Sequence, residues 1–151
     1  MKEIYFGSDH AGFVLKEKVK EWLLHEGWVV HDVGAHFLDP KDDYPEYAEK
    51  LGRAIVAKKA RGILFCGSAE GMSIAANKIN GVRAVIVRDV KGVRLAREHN
   101  DANVLCLSGW WHSEKVSRKL IPLFMKTRFS GQARHIRRLK MIGKLEEAKE
   151  Q

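Results

Sequence analysis

Cysteine and proline are both scarce in this 151-residue chain, which holds two of the first and three of the second. Cys66 and Cys106 stand far apart in sequence and cannot supply the dense disulfide framework of a small secreted domain; both read as reduced thiols. With so little proline and no Gly/Ser-rich or low-complexity stretch, there is no linker, and residues 1–151 are expected to form one domain around one core. No internal repeat is visible. No apolar run approaches the roughly 20 residues needed to cross a bilayer, so no membrane partner is expected. Residues 1–8 lack the basic and long apolar regions of a signal peptide, which predicts a cytoplasmic protein. There is no Cys/His/Asp/Glu cluster at metal-ligand spacing, no Walker-type loop, no dinucleotide glycine fingerprint and no nucleophile elbow. The expectation is chemistry without a metal or a cofactor.

What is abundant is basic charge, and it is unevenly placed. The formal net charge is +8. From Lys115 onward there are 11 Lys/Arg against three Glu, whereas the first 114 residues carry 16 basic and 16 acidic residues. A basic tail fits nucleic acid, a membrane surface or a small anionic ligand. It lacks interleaved aromatics and any recognisable reading module, which argues against nucleic acid.

Hydrophobic periodicity predicts strands over 2–8, 28–33, 62–66, 82–87 and 102–107. Helices are predicted over 12–25, 44–58, 72–78, 90–99, 112–126 and 133–149, with Gly27 as a stop signal and 34–43 as a loop. Alternating β and α elements with short, continuously apolar strands predict an α/β fold with a five-stranded parallel sheet covered on both faces. Cys106 falls in such a run and reads as core. Ligands of these sheets bind at the carboxyl ends of the strands. That rule selects Asp9-His10, Gly34, Cys66 to Gly71, Arg88-Asp89 and Ser108 to Trp111.

Four constellations there and elsewhere have usable chemistry. In Cys66-Gly67-Ser68-Ala69-Glu70-Gly71-Met72-Ser73, a cysteine ends a buried strand and small residues lead into a helix. Such a turn exposes backbone N–H groups that suit a phosphate or an oxyanion, and a helix N-terminus favours a thiolate. A buried strand-end cysteine before an ordinary turn is the plainer alternative. Asp9 is placed to cap the following helix, and His10 to donate to a phosphate or a sugar hydroxyl. His99 in His99-Asn100-Asp101 suits general acid/base work, although three polar residues also make an ordinary loop. Arg134 and Arg138 share one helix face and suit a phosphate, or form a solvated basic face.

Taken in order, these segments resemble the family of ribose-5-phosphate isomerase B and the galactose-6-phosphate isomerase subunits. The resemblance runs from Gly7-Ser8-Asp9-His10-Ala11-Gly12 to Arg134-His135-Ile136-Arg137-Arg138. Between these lie Asp43-Tyr44-Pro45-Glu46-Tyr47-Ala48, Ser73-Ile74-Ala75-Ala76-Asn77-Lys78, Gly81-Val82-Arg83-Ala84 and His99-Asn100-Asp101-Ala102-Asn103. It implies a three-layer, Rossmann-like α/β/α fold and a metal-free, cofactor-free aldose–ketose isomerisation of a phosphorylated sugar through an enediolate. Ribose 5-phosphate is the expected substrate, and another sugar phosphate (allose, galactose or a tetrose) or a non-catalytic sugar-phosphate binder is the alternative.

By the same resemblance Cys66 is the base, His99 opens the sugar ring and Ser68 places a hydroxyl beside the reacting centre. Asp9, His10, Tyr44, Gly67, Gly71, Ser73 and Asn100 contact the substrate. Arg134 and Arg138 hold the phosphate from a second subunit, on which the C-terminal helix packs; a homodimer or dimer of dimers with shared sites follows. The chain departs from the family pattern at Ala69, usually Gly, at Glu70, usually uncharged, and at Trp110, usually Arg. Trp110 and Trp111 read as core or subunit-interface packing.

Overall fold

Side-chain alternation in the buried strands sets the architecture. In β3 (Gly62–Cys66), Ile63 and Phe65 join one core cluster while Leu64 and Cys66 join another. This is the period-2 pattern of a strand covered on both faces. The structure is a computed structural model and describes residues 2–148. Before β3 come β1 (Glu3–Ser8), α1 (His10–His25), β2 (Val29–Asp32) and α2 (Tyr44–Lys58). After it come α3 (Glu70–Ala76), β4 (Ala84–Ile86), α4 (Val90–Asn100), β5 (Val104–Ser108), α5 (Glu114–Lys126) and α6 (Ala133–Glu147). The expected elements are therefore present, with ends shifted by a few residues. The helix foreseen over 133–149 is observed to Glu147, and its last position lies outside the described residues.

Among the described residues the five strands form one sheet in the order β2-β1-β3-β5-β4, and every pairing is parallel. Leu15, Val19 and Leu23 of α1 pack on one face with Val93 of α4 and Leu120, Ile121 and Phe124 of α5. Leu51 and Ile55 of α2 and Met72 of α3 pack on the other with Cys106. Two apolar layers thus flank the sheet, and removing a fully buried side chain such as Phe65 costs about 3–5 kcal/mol. Both cysteines are free and buried. No helix of the described residues is long and apolar enough to cross a membrane.

The chain leaves β1 in one direction for β2 and in the other for β3, so their carboxyl ends flank a crevice. Two local signals bring α1 to that crevice. Asp9 caps the helix, its Oδ1 accepting from the Gly12 N–H at 3.0 Å. Gly12 then lets the helix start lie directly on β3, because a Cβ there would stand 2.2 Å from the Phe65 carbonyl carbon. At the far end Gly27, at φ 78°, closes α1 in the left-handed conformation that glycine adopts without strain.

Gly12→Ala tests this close approach. The clashing atoms are backbone, so α1 must move off β3. Overpacking of roughly 1–3 kcal/mol should exceed the gain of up to about 1 kcal/mol from helix propensity. Urea unfolding should show a net loss of stability, and a gain would contradict the packing.

Candidate active site

At the carboxyl ends of β1, β3 and β5 the backbone is locked by short polar contacts. Ser108 Oγ donates to Gly67 O at 2.5 Å and accepts the N–H groups of Trp110 and Trp111, each at 3.1 Å. The Gly109 N–H donates to Cys66 O at 2.7 Å. The Ser108 N–H donates to His112 Nδ1 at 2.9 Å, which ties the turn to the start of α5. The loop after β3 is thereby held against the loop after β5.

Cys66 sits inside this frame and is 7% exposed. Its Sγ donates to Asp9 Oδ2 at 3.2 Å, and Asp9 is 3% exposed. The backbone N–H groups of Gly67 and Ala69 also point to the sulfur and favour the thiolate. They are outweighed. Burial, then the charge of Asp9 and its hydrogen bond, push the thiol up to about 12. The donors that favour a thiolate therefore do not prevail in this chain: burial, together with the buried carboxylate 3.2 Å away, outweighs them.

The neighbouring residues complete one wall of the crevice. The Tyr44 ring lies on Gly71, where a Cβ would stand 2.5 Å from its Cζ. The Ser68 hydroxyl accepts from the Glu70 N–H at 3.4 Å. The Ser73 hydroxyl is buried and engaged with the Cys106 thiol. His10 Nδ1 bonds Asp42 Oδ1 at 2.6 Å. That hydrogen bond, with the charges of Asp42, Asp9 and Asp39, raises the imidazole above its usual value despite partial desolvation. Asp42 lies in the loop after β2, and its pairing with His10 had no sequence signal beyond an Asp-rich stretch.

Trp110 covers Gly67, where a Cβ would lie 2.6 Å from its Cζ2. With Trp110 70% and Trp111 53% exposed, the tryptophans are not core packing; the Trp110 indole lies over Gly67 and the Trp111 indole lies under the Arg88 guanidinium. Donor atoms of Asp9, His10 and Asp42 lie within 4.8 Å of one another, a grouping invisible in the sequence spacing. His10 bonds Asp42, while Asp9 bonds the Gly12 N–H and the Cys66 thiol.

A second cluster forms at the opposite edge. Because α4 runs back between parallel strands, its last turn lies beside their amino ends, where Asn103 accepts from the Gly62 N–H. There the His99 ring stacks on His135 at 4.3 Å. His135 is buried, bonded to Ser130 Oγ, and accepts from Arg134 Nε at 3.3 Å. Desolvation, His99, Arg134 and Arg138 all push its pKa down. Asn100, Arg134 and Arg138 are exposed beside it. From Gly62 to Cys66 the strand rises about 13 Å at ~3.3 Å per residue. One chain therefore does not bring His99, Asn100, Arg134 and Arg138 to Cys66. Sequence reasoning had placed only the two arginines across a subunit boundary.

Comparison with known proteins gives this geometry a lineage. The family described as Ribose/Galactose Isomerase matches residues 4–142. A probable ribose-5-phosphate isomerase B of Mycoplasma pneumoniae is 42% identical over 143 residues, covering 94% of this chain and 91% of that one. The crystal structure of a ribose 5-phosphate isomerase from Thermotoga maritima superposes with a TM-score of 0.90 at 42% identity, covering 95% of this chain and 98% of that one. The enzyme of Mycoplasma genitalium, solved with bound ribulose-5-phosphate, has a TM-score of 0.89 at 37% identity, covering 96% of each chain.

The chain belongs to the ribose/galactose isomerase family.

Within this ribose/galactose isomerase the departures noted in the sequence acquire a geometry. Ala69 adopts φ 72°, ψ −8° while fully buried. A left-handed conformation costs a residue with a Cβ about 1–2 kcal/mol, so the loop carrying Cys66 is held under strain by its surroundings. The Glu70 side chain, the unexpected carboxylate, is exposed.

The His10–Asp42 pair yields a pH prediction. A histidine raised by its partner contributes stability that is fully present below its ordinary pKa and is lost as pH rises through the folded value. The His10 imidazole should titrate by NMR above about 6.5, and Asp42→Asn should bring it down. A midpoint unmoved by that substitution would disprove the coupling.

Proposed function

We propose that this chain is an aldose–ketose isomerase that converts ribose 5-phosphate to ribulose 5-phosphate through an enediolate, with Cys66 as the base. The observation that carries this reading is the Cys66 sulfur at the carboxyl end of β3, facing two backbone N–H groups in the crevice between β1 and β3. Family membership supports the reaction class, and the ribulose-5-phosphate bound to the Mycoplasma genitalium relative supports the substrate.

The chemistry follows from what an α-hydroxy carbonyl requires. The Cys66 thiolate takes the proton from C2, and the electron pair moves toward the C1 carbonyl to give the enediolate. The same sulfur returns the proton to C1, because adjacent carbons lie within reach of one group, while the O2 hydroxyl proton passes to O1 and C2 becomes the carbonyl. Backbone donors stabilise the developing oxygen charge without having to reorganise. His10, whose cationic form Asp42 favours, suits an anionic or hydroxyl group of the substrate. Tyr44 and Ser68 border the sugar, and Gly67, Gly71 and the Ser73 backbone leave room for it. The phosphate is remote from the reacting carbons, so its binding energy serves to orient them. We place the enzyme in the cytoplasm.

His99, Asn100, Arg134 and Arg138 enter from a second copy. Their separation from Cys66 within one chain supports a homodimer in which each site combines the carboxyl edge of one subunit with the amino edge and α6 of the other. His99 then protonates the ring oxygen as the sugar opens, and the arginines hold the phosphate. The outer side of α6 presents Met141, 60% exposed, and Leu145, 67% exposed, as apolar surface for such packing.

A mixing experiment tests the shared site. Cys66→Ala and His99→Asn should each abolish ribulose 5-phosphate formation. Subunit exchange between them should restore about a quarter of wild-type activity, since half the dimers of a two-fold assembly are mixed and each holds one intact site. No recovery after demonstrated exchange would reject the shared site, and full activity in Cys66→Ala would reject the base.

A further inference from the structure

The contact between Cys66 and Asp9 is a sulfur–carboxylate hydrogen bond of 3.2 Å between two buried groups. Asp9 is fixed from its other side, because Oδ1 accepts the Gly12 N–H and ends the first turn of α1. The carboxylate cannot turn away without giving up that cap, so Oδ2 is aimed at Cys66. Helix capping explains one oxygen. It does not explain why the second is directed onto a thiol.

We infer that Asp9 is a positioning residue that holds the Cys66 thiol as S–H and aims it in the crevice until a cation or hydrogen-bond donor engages that carboxylate. The inference rests on the assignment of Cys66 as the base. An anion 3.2 Å away repels a thiolate strongly in a water-poor site. Facing the sulfur are Asp9 from the start of α1, the N–H groups of Gly67 and Ala69 from its own loop, and the Cys106 thiol from β5. His10 and Asp42 lie beyond Asp9. Among the described residues Asp9 is the one charged group acting on the sulfur, and burial and Asp9 together act against the thiolate. A substrate hydroxyl donating to Oδ2, or a cation arriving beside it, removes both the repulsion and the acceptor of the S–H. The loop's N–H groups then favour the thiolate. An empty site keeps an unreactive thiol, which protects it from oxidation.

Asp9→Asn separates charge from capping, because asparagine caps helices as well as aspartate does. Asp9→Ser, also a good cap and uncharged, repeats the test should the amide disturb folding. In the free full-length chain, thiolate absorbance near 240 nm should appear at a pH at least about one unit lower, which is roughly tenfold more thiolate near pH 8. Iodoacetamide labelling of Cys66, separated from Cys106 by peptide mass, should accelerate by a similar factor. The acidic limb of the kcat/KM profile, which reports the free enzyme, should move down in pH with it. Titration and labelling unchanged within about twofold in both variants overturn the role of Asp9, whatever the enzyme assay gives. Isomerisation retained by Cys66→Ala overturns the base assignment and leaves the thiol titration to decide on Asp9.

Discussion

The carboxylate of Asp9 joins two parts of the molecule. One oxygen closes the first turn of α1 and the other accepts from the thiol that ends β3. The second contact requires α1 to start almost in contact with the β3 backbone, and Gly12 permits that. The crevice between β1 and β3 is therefore set by a glycine, a cap and a strand end, all within the first turn of one helix. The loop after β3 is fixed from its other side by Ser108 and the Gly109 N–H. Ala69 stays at positive φ because these neighbours over-determine the path.

A parallel sheet with return helices separates its loops into two sets. Loops that leave strands gather at the carboxyl edge, and loops that enter them gather at the amino edge. Asp9, His10, Tyr44 and Cys66 to Gly71 belong to the first set, whereas His99 and Asn100 at the end of α4 belong to the second. The α6 helix joins the second set through the His99–His135 stack and the Arg134–His135 hydrogen bond. Side chains in different sets of one chain are kept apart by the length of the sheet. For a reaction that uses both, the topology itself calls for a second copy.

Much of this was legible in the sequence, and the reasons are local. Period-2 and period-3.6 patterns mark the strands and helices because one buried face is enough to fix each. Asp9 was readable as a cap, and Cys66 as a strand-end thiol beside small residues. The departure at Ala69 from the family's usual Gly falls where the structure shows a left-handed backbone. What escaped depended on distance across the chain. Asp42 reaches His10 from a loop 32 positions away. The contact of Asp9 with Cys66 spans 57 positions, and together with burial it outweighs the donors that favour a thiolate. A helix N-terminus is a property of a segment, whereas the carboxylate that outweighs it arrives through the sheet. The contact of the Trp110 indole with Gly67 was hidden for the same reason, since it leaves no periodic trace.

The charge distribution connects these features. The crevice edge carries Asp9, with Asp42 and Asp39 close enough to raise His10. The excess basic charge of the chain lies beyond residue 114, with Arg134 and Arg138 exposed at the other edge. In the proposed dimer the cationic edge of one copy meets the anionic crevice of the other, which is the orientation Coulomb attraction favours. A phosphate bound there neutralises the arginines, and the substrate's hydroxyl groups meet the carboxylates. The thiol of a lone chain is held protonated by burial and by the charge of Asp9, which together outweigh the loop's N–H groups. In the filled, shared site that charge has a counterpart, so the resting thiol and its role as a base describe two electrostatic states of one crevice.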